Sequence, residues 1–171
     1  MKDPVHHDPV EVVGEAYELM LERAMADFRK AKEIAGPALH EFIDKARDTA
    51  VELGELTAEE AEKLADYLKR DLADAAVHLS EAGDELKEWL GFEAELVKAE
   101  IFDLFLKAAD RTTLELQKLK QQAEQALHYR TGEITGPGTL VCEQCGEKLH
   151  FHKPGHIPPC PKCHATQFRR R

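Results

Sequence analysis

Cys142-x-x-Cys145 and Cys160-x-x-Cys163 contain every cysteine of the chain, all within its last thirty residues, with fourteen residues between the pairs. Each C-x-x-C loop can turn two sulfurs toward one point. The interval between the loops suits a β-hairpin that brings them face to face, which is the spacing of a tetrahedral zinc ribbon. Four thiolates close such a site and leave no position for water or substrate, so the expected cofactor is one structural Zn2+ held by Cys142, Cys145, Cys160 and Cys163. Two disulfides, or four unmetallated thiols, are the competing use of these cysteines, and rubredoxin-like iron is another. Turn residues flanking both pairs weigh against the first, and the thin aromatic cover of Phe151 and Phe168 weighs against the second. His150, His152, His156 and His164 crowd the same stretch. His164, beside Cys163, is the one placed to be an extra ligand. The plainer reading leaves the histidines exposed or hydrogen-bonded near the thiolates.

Thr139–Val141, Leu149–His152 and Thr166–Arg169 read as three short strands around the two knuckles, with Gly146 at a turn that needs positive φ. Leu140, Leu149, Phe151, Ile157 and Phe168 are too few for an independent core, so metal must supply most of the stability of this part.

The remainder reads as helix. Charged residues make up 33% of the chain, glycine and proline are sparse, Ser80 is the single serine and asparagine is absent. Asp8-Pro9 opens the first helix as N-cap and first turn. Val10, Val13, Tyr17, Met20, Ala24, Phe28 and Ala31 then recur along one stripe. After a break at Gly36-Pro37, Leu39, Ile43, Ala46, Ala50 and Leu53 continue to Gly54. Thr57 and Glu60 form a capping box. Behind it, Ala61, Ala65, Leu68, Leu72, Ala75, Leu79, Ala82, Leu86 and Trp89 alternate steps of four and three, an a/d seam. Past Gly91, Phe92, Leu96, Ala99, Phe102, Leu106, Ala109, Thr113 and Leu116 make a last stripe, broadened by Ile101, Leu104 and Phe105. The expected fold is mainly α: a long antiparallel helical or coiled-coil region, then a small C-terminal β zinc ribbon. Residues 1–130 are an acidic, coiled-coil-like helical domain, 131–138 a Gly/Pro linker, and 139–171 the ribbon.

Charge follows the same division. Residues 1–130 carry 17 Lys+Arg against 30 Asp+Glu, whereas residues 131–171 carry 6 against 3. The helical region should be repelled by nucleic acid, and Arg169-Arg170-Arg171 is the segment suited to touching phosphate. Walker and dinucleotide loops and His-Glu-x-x-His are absent, no Glu-x-x-His occurs on the helices, and Ser80 has no nucleophile elbow around it. No enzymatic constellation emerges, and no catalytic residue is assigned. No apolar run reaches the roughly 20 residues of a membrane span, and the N-terminus lacks a secretory signal, so the cytoplasm is the expected compartment.

Several runs resemble a known family: Gly54-Glu55-Leu56-Thr57; Lys69-Arg70-Asp71-Leu72; Asp110-Arg111-Thr112; Tyr129-x-Thr131-Gly132-Glu133-Ile134; Gly136-x-Gly138-x-Leu140-Val141-Cys142-Glu143-x-Cys145; and Cys160-Pro161-Lys162-Cys163 with Gln167-Phe168. They are similar to the YbeL-like bacterial proteins, whose function is largely undefined. The resemblance implies a helical region and a zinc ribbon in a bacterial cytosol, and it supplies no substrate or partner. His164 departs from the glycine common after the last cysteine of a zinc knuckle.

The favoured reading is a non-enzymatic interaction or adaptor protein, with helices and ribbon each offering a docking surface to a protein partner. The seam also suits a homodimer. The alternative is a nucleic-acid-associated factor at the transcription or translation machinery, using the ribbon and its basic end.

Overall fold

The computed structural model describes residues 9–30, 39–82, 90–92, 97–109 and 128–170. The Gly36-Pro37 break, the end of the seam at Leu86 and Trp89, the last stripe beyond Ala109, and the Asp8 and Arg171 readings lie outside the described residues.

Helix α1 runs Pro9–Lys30, with proline at its first position, where a missing amide proton costs nothing. Tyr17, Met20 and Ala24 of the expected stripe are buried, joined by Leu21 and Met25. Helix α2 spans Leu39–Glu52 and buries Leu39, Ile43, Ala46 and Ala50. It stops there because Gly54 takes φ +67°, and the Glu55 amide turns back to the Ala50 carbonyl at 3.0 Å. Leu53, expected to extend the stripe, therefore falls past the helix end and is 62% exposed. Helix α3, Ala58–Ala82, starts on the expected capping box. The Thr57 amide donates to Glu60 Oε2 at 2.9 Å, and the Glu60 amide donates to Thr57 Oγ1 at 3.3 Å.

The three helices run antiparallel in turn. Lys45 reaches back to Asp27 at 2.9 Å and Arg23 to Glu55. Arg47 pairs with Glu62 at 3.0 Å and Lys69 with Asp44 at 2.5 Å. Ala61, Ala65, Leu68, Leu72 and Ala75 of the seam are all buried inside the chain itself. Residues 99–109 are helical. Their buried positions are Ile101, Phe105, Ala108 and Ala109, while Ala99 is exposed, so the true stripe is rotated by about one residue from the expected one. Phe102, Leu104 and Leu106 still pack against the core, which keeps that face broad.

The C-terminal part has more strands than its sequence pattern suggests. Besides β3 (Gly138–Cys142), β4 (Lys148–Phe151) and β6 (Gln167–Arg170), there are two-residue strands β1 (Tyr129–Arg130), β2 (Ile134–Thr135) and β5 (Gly155–His156). One antiparallel sheet has the order β1-β6-β3-β4, and β2 pairs with β5 separately. The register sets Val141 opposite both Lys148 and Arg169, and Leu140 opposite both Leu149 and Arg170. Side chains alternate across a sheet. Arg170, Phe168, Leu140 and Tyr129 therefore share one face, and Arg169, Gln167, Lys148 and Arg130 the other.

Residues 131–138, expected as a linker, are packed rather than free. Ile134 through Gly138 are buried, and Ile134 belongs to the helical core. The glycines there permit close approach: a Cβ on Gly136 would stand 2.6 Å from the Tyr17 hydroxyl. Gly14 has the same role on α1, where a Cβ would stand 2.4 Å from the Pro154 carbonyl oxygen. Helix α1 thus lies directly against the ribbon.

Candidate metal centre and its buried joint with the helices

The two knuckles are near copies in backbone geometry. The Gly146 amide donates to the Cys142 carbonyl at 2.9 Å, and the His164 amide to the Cys160 carbonyl at 2.9 Å. The Cys142 amide donates to the Glu147 carbonyl at 2.8 Å, and the Cys160 amide to the Ala165 carbonyl at 2.9 Å. Both loops close on a residue with positive φ, +75° at Gly146 and +61° at His164. In the second loop a side chain therefore occupies a backbone conformation that costs roughly 1–2 kcal/mol for anything but glycine.

None of the cysteines is in a disulfide. Cys142 Sγ lies 3.6 Å from Cys163 Sγ, and Cys145 Sγ lies 3.6 Å from Cys160 Sγ. All four sulfurs fall within 4.8 Å of one another. A tetrahedral ion with metal–sulfur bonds of about 2.3 Å needs sulfurs roughly 3.8 Å apart. The donor set fits such an ion in number, chemistry and spacing.

The thiols by themselves resist ionising together. Cys160 is desolvated by burial, yet the amides of Cys163 and Lys162 bring its thiol down to about 7. For Cys163 the Ala165 amide favours the thiolate, but burial and the three neighbouring sulfurs outweigh it and push the thiol up to about 12. A divalent cation resolves this conflict, because all four donors can then be thiolates.

Among the described residues, these cysteines are the one group of three or more His, Cys, Asp and Glu side chains close enough to share an ion. The histidines stand outside it. His150 Nδ1 is 2.9 Å from Thr139 Oγ1, and His156 Nδ1 is 3.1 Å from the Gly132 carbonyl. His150 and His152 both set their rings against Phe92. His164 is exposed and is not among the ligands.

With this geometry, the relatives of the chain acquire a structural meaning. Residues 26–171 match the family model described as a zinc-ribbon containing domain. The chain is also 32% identical over 134 residues to the uncharacterized protein YbeL of Escherichia coli K12, covering 76% of this chain and 80% of that protein. The chain belongs to the YbeL-like zinc-ribbon family. YbeL of E. coli O6:H1 and of O157:H7 match to the same extent, 32% over 134 residues. No solved structure matches.

In this family member the ribbon is locked to the helices through residues whose role the sequence conceals. Asp71 of α3 is fully buried. Its Oδ2 accepts from the Tyr17 hydroxyl at 2.7 Å and the Gly136 amide at 2.6 Å. Its Oδ1 accepts from Arg70 and from Arg170 Nη2, each at 3.2 Å. Arg170 comes from the last strand and is itself buried, bonding also to Thr135 Oγ1 at 2.9 Å and the Pro137 carbonyl at 3.3 Å. Arg70 crosses in the other direction, to Glu133 at 2.5 Å and the Ile134 carbonyl at 2.8 Å.

Tyr129 sits between the two guanidinium groups. Its ring centroid is 4.0 Å from Arg70 and 4.9 Å from Arg170, and its hydroxyl donates to Asp74 at 2.7 Å. Burial raises the Tyr17 hydroxyl well above its ordinary pKa, reinforced by the Asp71 charge, so it stays a donor. Burial also raises the Asp74 carboxyl, against the pull of Arg170.

Of the basic end, Arg170 is therefore committed inside the molecule, and among the described residues only Arg169 remains exposed there. Two signals could have marked this joint. Asp71 adjoins the seam residues Leu68, Leu72 and Ala75, and Tyr17 lies within an apolar stripe where a buried hydroxyl requires a partner.

Proposed function

We propose that this chain is a non-enzymatic protein-interaction body of the bacterial cytosol, with one Zn2+ bound structurally by Cys142, Cys145, Cys160 and Cys163. The observation that carries the reading is the closed set of four sulfurs, which a tetrahedral ion fills with no ligand position left over. Its coupling to α3 through Arg170 and Asp71 makes the metal a brace for the joint as well as for the ribbon. A rigid body of this kind presents fixed surfaces, which is what docking requires.

Substitution with cobalt(II) tests the proposal. The visible spectrum should be that of a tetrahedral tetrathiolate and should not change when azide is added. A spectrum that responds to azide would reveal an open, water-bearing position and overturn the structural role.

A second reading is favoured by the outward face of the sheet. Arg130, Lys148 and Arg169 are exposed there on one side of three strands. Such a row suits a phosphate backbone better than the chain end does. A gel shift at ~50 mM salt, where counterion release favours binding most, tests it. Absence of a shift, or a shift unchanged in Arg169→Gln with Lys148→Gln, removes this reading.

A further inference from the structure

The exposed large apolar side chains of the described residues are Val12, Leu19, Val51 and Leu53, and the two on α1, Val12 and Leu19, line one groove. The groove has a volume of about 250 Å3. Its α1 wall is Val12, Ala16, Leu19 and Met20, and Ala50 and Leu56 line it from the end of α2 and the turn that follows. The opposite side of α1 is occupied by the ribbon, at Gly14 and Tyr17. The groove therefore lies on the side of the helix that the ribbon leaves uncovered.

Its charge is mostly acidic, with Glu15 and Glu55 against Arg23. Glu15 lines the groove and Glu22 is exposed further along α1, while Glu18, between them in sequence, pairs with Lys98 at 3.9 Å. No basic residue precedes Arg23 in that helix. Arg23, at the groove's end, is held by both carboxylate oxygens of Glu55, at 2.5 and 2.7 Å. It has little charge left to offset the glutamates.

We infer that this groove is a docking site for a cationic amphipathic helix of another protein. The occupant would lay an apolar stripe on Val12, Leu19 and Leu56 and direct lysine or arginine toward the flanking glutamates. A second copy of this chain would bring the same acidic side chains against themselves, and an anionic membrane or nucleic acid would meet the same repulsion. The inference rests on the reading of the protein as a docking body and specifies its helical surface.

The test uses the full zinc-loaded chain and a fluorescent Leu/Lys model peptide of about four helical turns, with a Leu/Glu peptide of equal length as control. Anisotropy should show saturable one-to-one binding of the Leu/Lys peptide and none of the control. Leu19→Gln combined with Val12→Gln should weaken binding by at least about tenfold, because each removes apolar area from the contact. Both side chains are well exposed, so the thermal midpoint should not move. No binding would overturn the inference, as would binding equally strong in the double variant. It would likewise fall if the intact chain formed a dimer that the double variant abolished. Failure in any of these ways, with the cobalt spectrum still closed, would leave the docking-body reading standing and remove only the groove.

Discussion

Among the described residues the helical core holds twenty buried side chains, from Tyr17 to Ile134, whereas the ribbon core holds six, and two of those are cysteines. The first is a continuous apolar interior of ordinary kind. The second encloses so little apolar surface that its two knuckles need a shared ion to hold together. Between them lies a joint of another kind, built from Arg70, Asp71, Asp74, Tyr129 and Arg170. A charged joint has fixed directions and fixed partners, so it sets the ribbon's orientation on the helices in a way that apolar contact does not. The contrast shows how a metal site can influence a region it does not touch.

Removing the metal should separate the two regions most sharply. Chelation, or Cys160→Ser, should forfeit on the order of 10 kcal/mol of metal-linked folding in the ribbon. NMR should lose the dispersed signals of β3, β4 and β6. Far-UV dichroism should keep its helical signal, since the larger core lacks metal ligands, but the thermal midpoint should drop because the joint is lost. A ribbon that stays folded without metal would break the comparison from one side. Helices that collapse with it would break it from the other.

Breaking the joint alone comes next. Asp71→Ala leaves buried Arg170 with Asp74 alone, 3.4 Å from its Nε, and strips the Tyr17 hydroxyl and the Gly136 amide of their acceptor, so it should cost about 3–5 kcal/mol in urea unfolding. Arg23→Ala removes an exposed pair of good geometry and should cost under about 1 kcal/mol. Equal losses would show that the joint is no more than a surface contact.

A smaller effect is expected where the two regions approach most closely. Gly136→Ala drives a methyl group toward the Tyr17 hydroxyl and should destabilise by about 1–3 kcal/mol. Adding Tyr17→Phe removes the clashing oxygen, so the double variant should lose less than the sum of the singles. Additive losses would mean that the two residues do not meet.

The smallest effect compares the knuckles with each other. His164→Gly should relieve the left-handed backbone at φ +61° and raise stability by about 1 kcal/mol. Gly146→Ala should lower it by a similar amount. The readout is the chelator concentration at half release of zinc. No change in either variant would show that the loops bear no strain.

Local spacing made much of this legible. The Cys-x-x-Cys pairs pointed to the sulfur cluster, Thr57 and Glu60 to the start of α3, and the three- and four-residue steps to most of the buried positions of α1, α2 and α3. Errors arose where a residue's surroundings come from far along the chain. Gly136-Pro137-Gly138 has the composition of a linker, but the glycines are there for close packing against Tyr17 and Arg170. Arg170 reads as one of three solvated arginines, but its partner Asp71 lies 99 positions away. Nothing in either local sequence announces the other.

By itself the sequence determined the kinds of element and the site: helical stripes, a capping box, two metal knuckles and an acidic surface. These follow from residues a few positions apart, whose geometry the backbone imposes. Only the tertiary structure decided that the ribbon is fastened to α1 and α3, that an arginine from its last strand is buried there, and that one flank of α1 is left as an open groove. Those features depend on which distant surfaces meet, and burial then decides whether a charge is solvated or must find a partner.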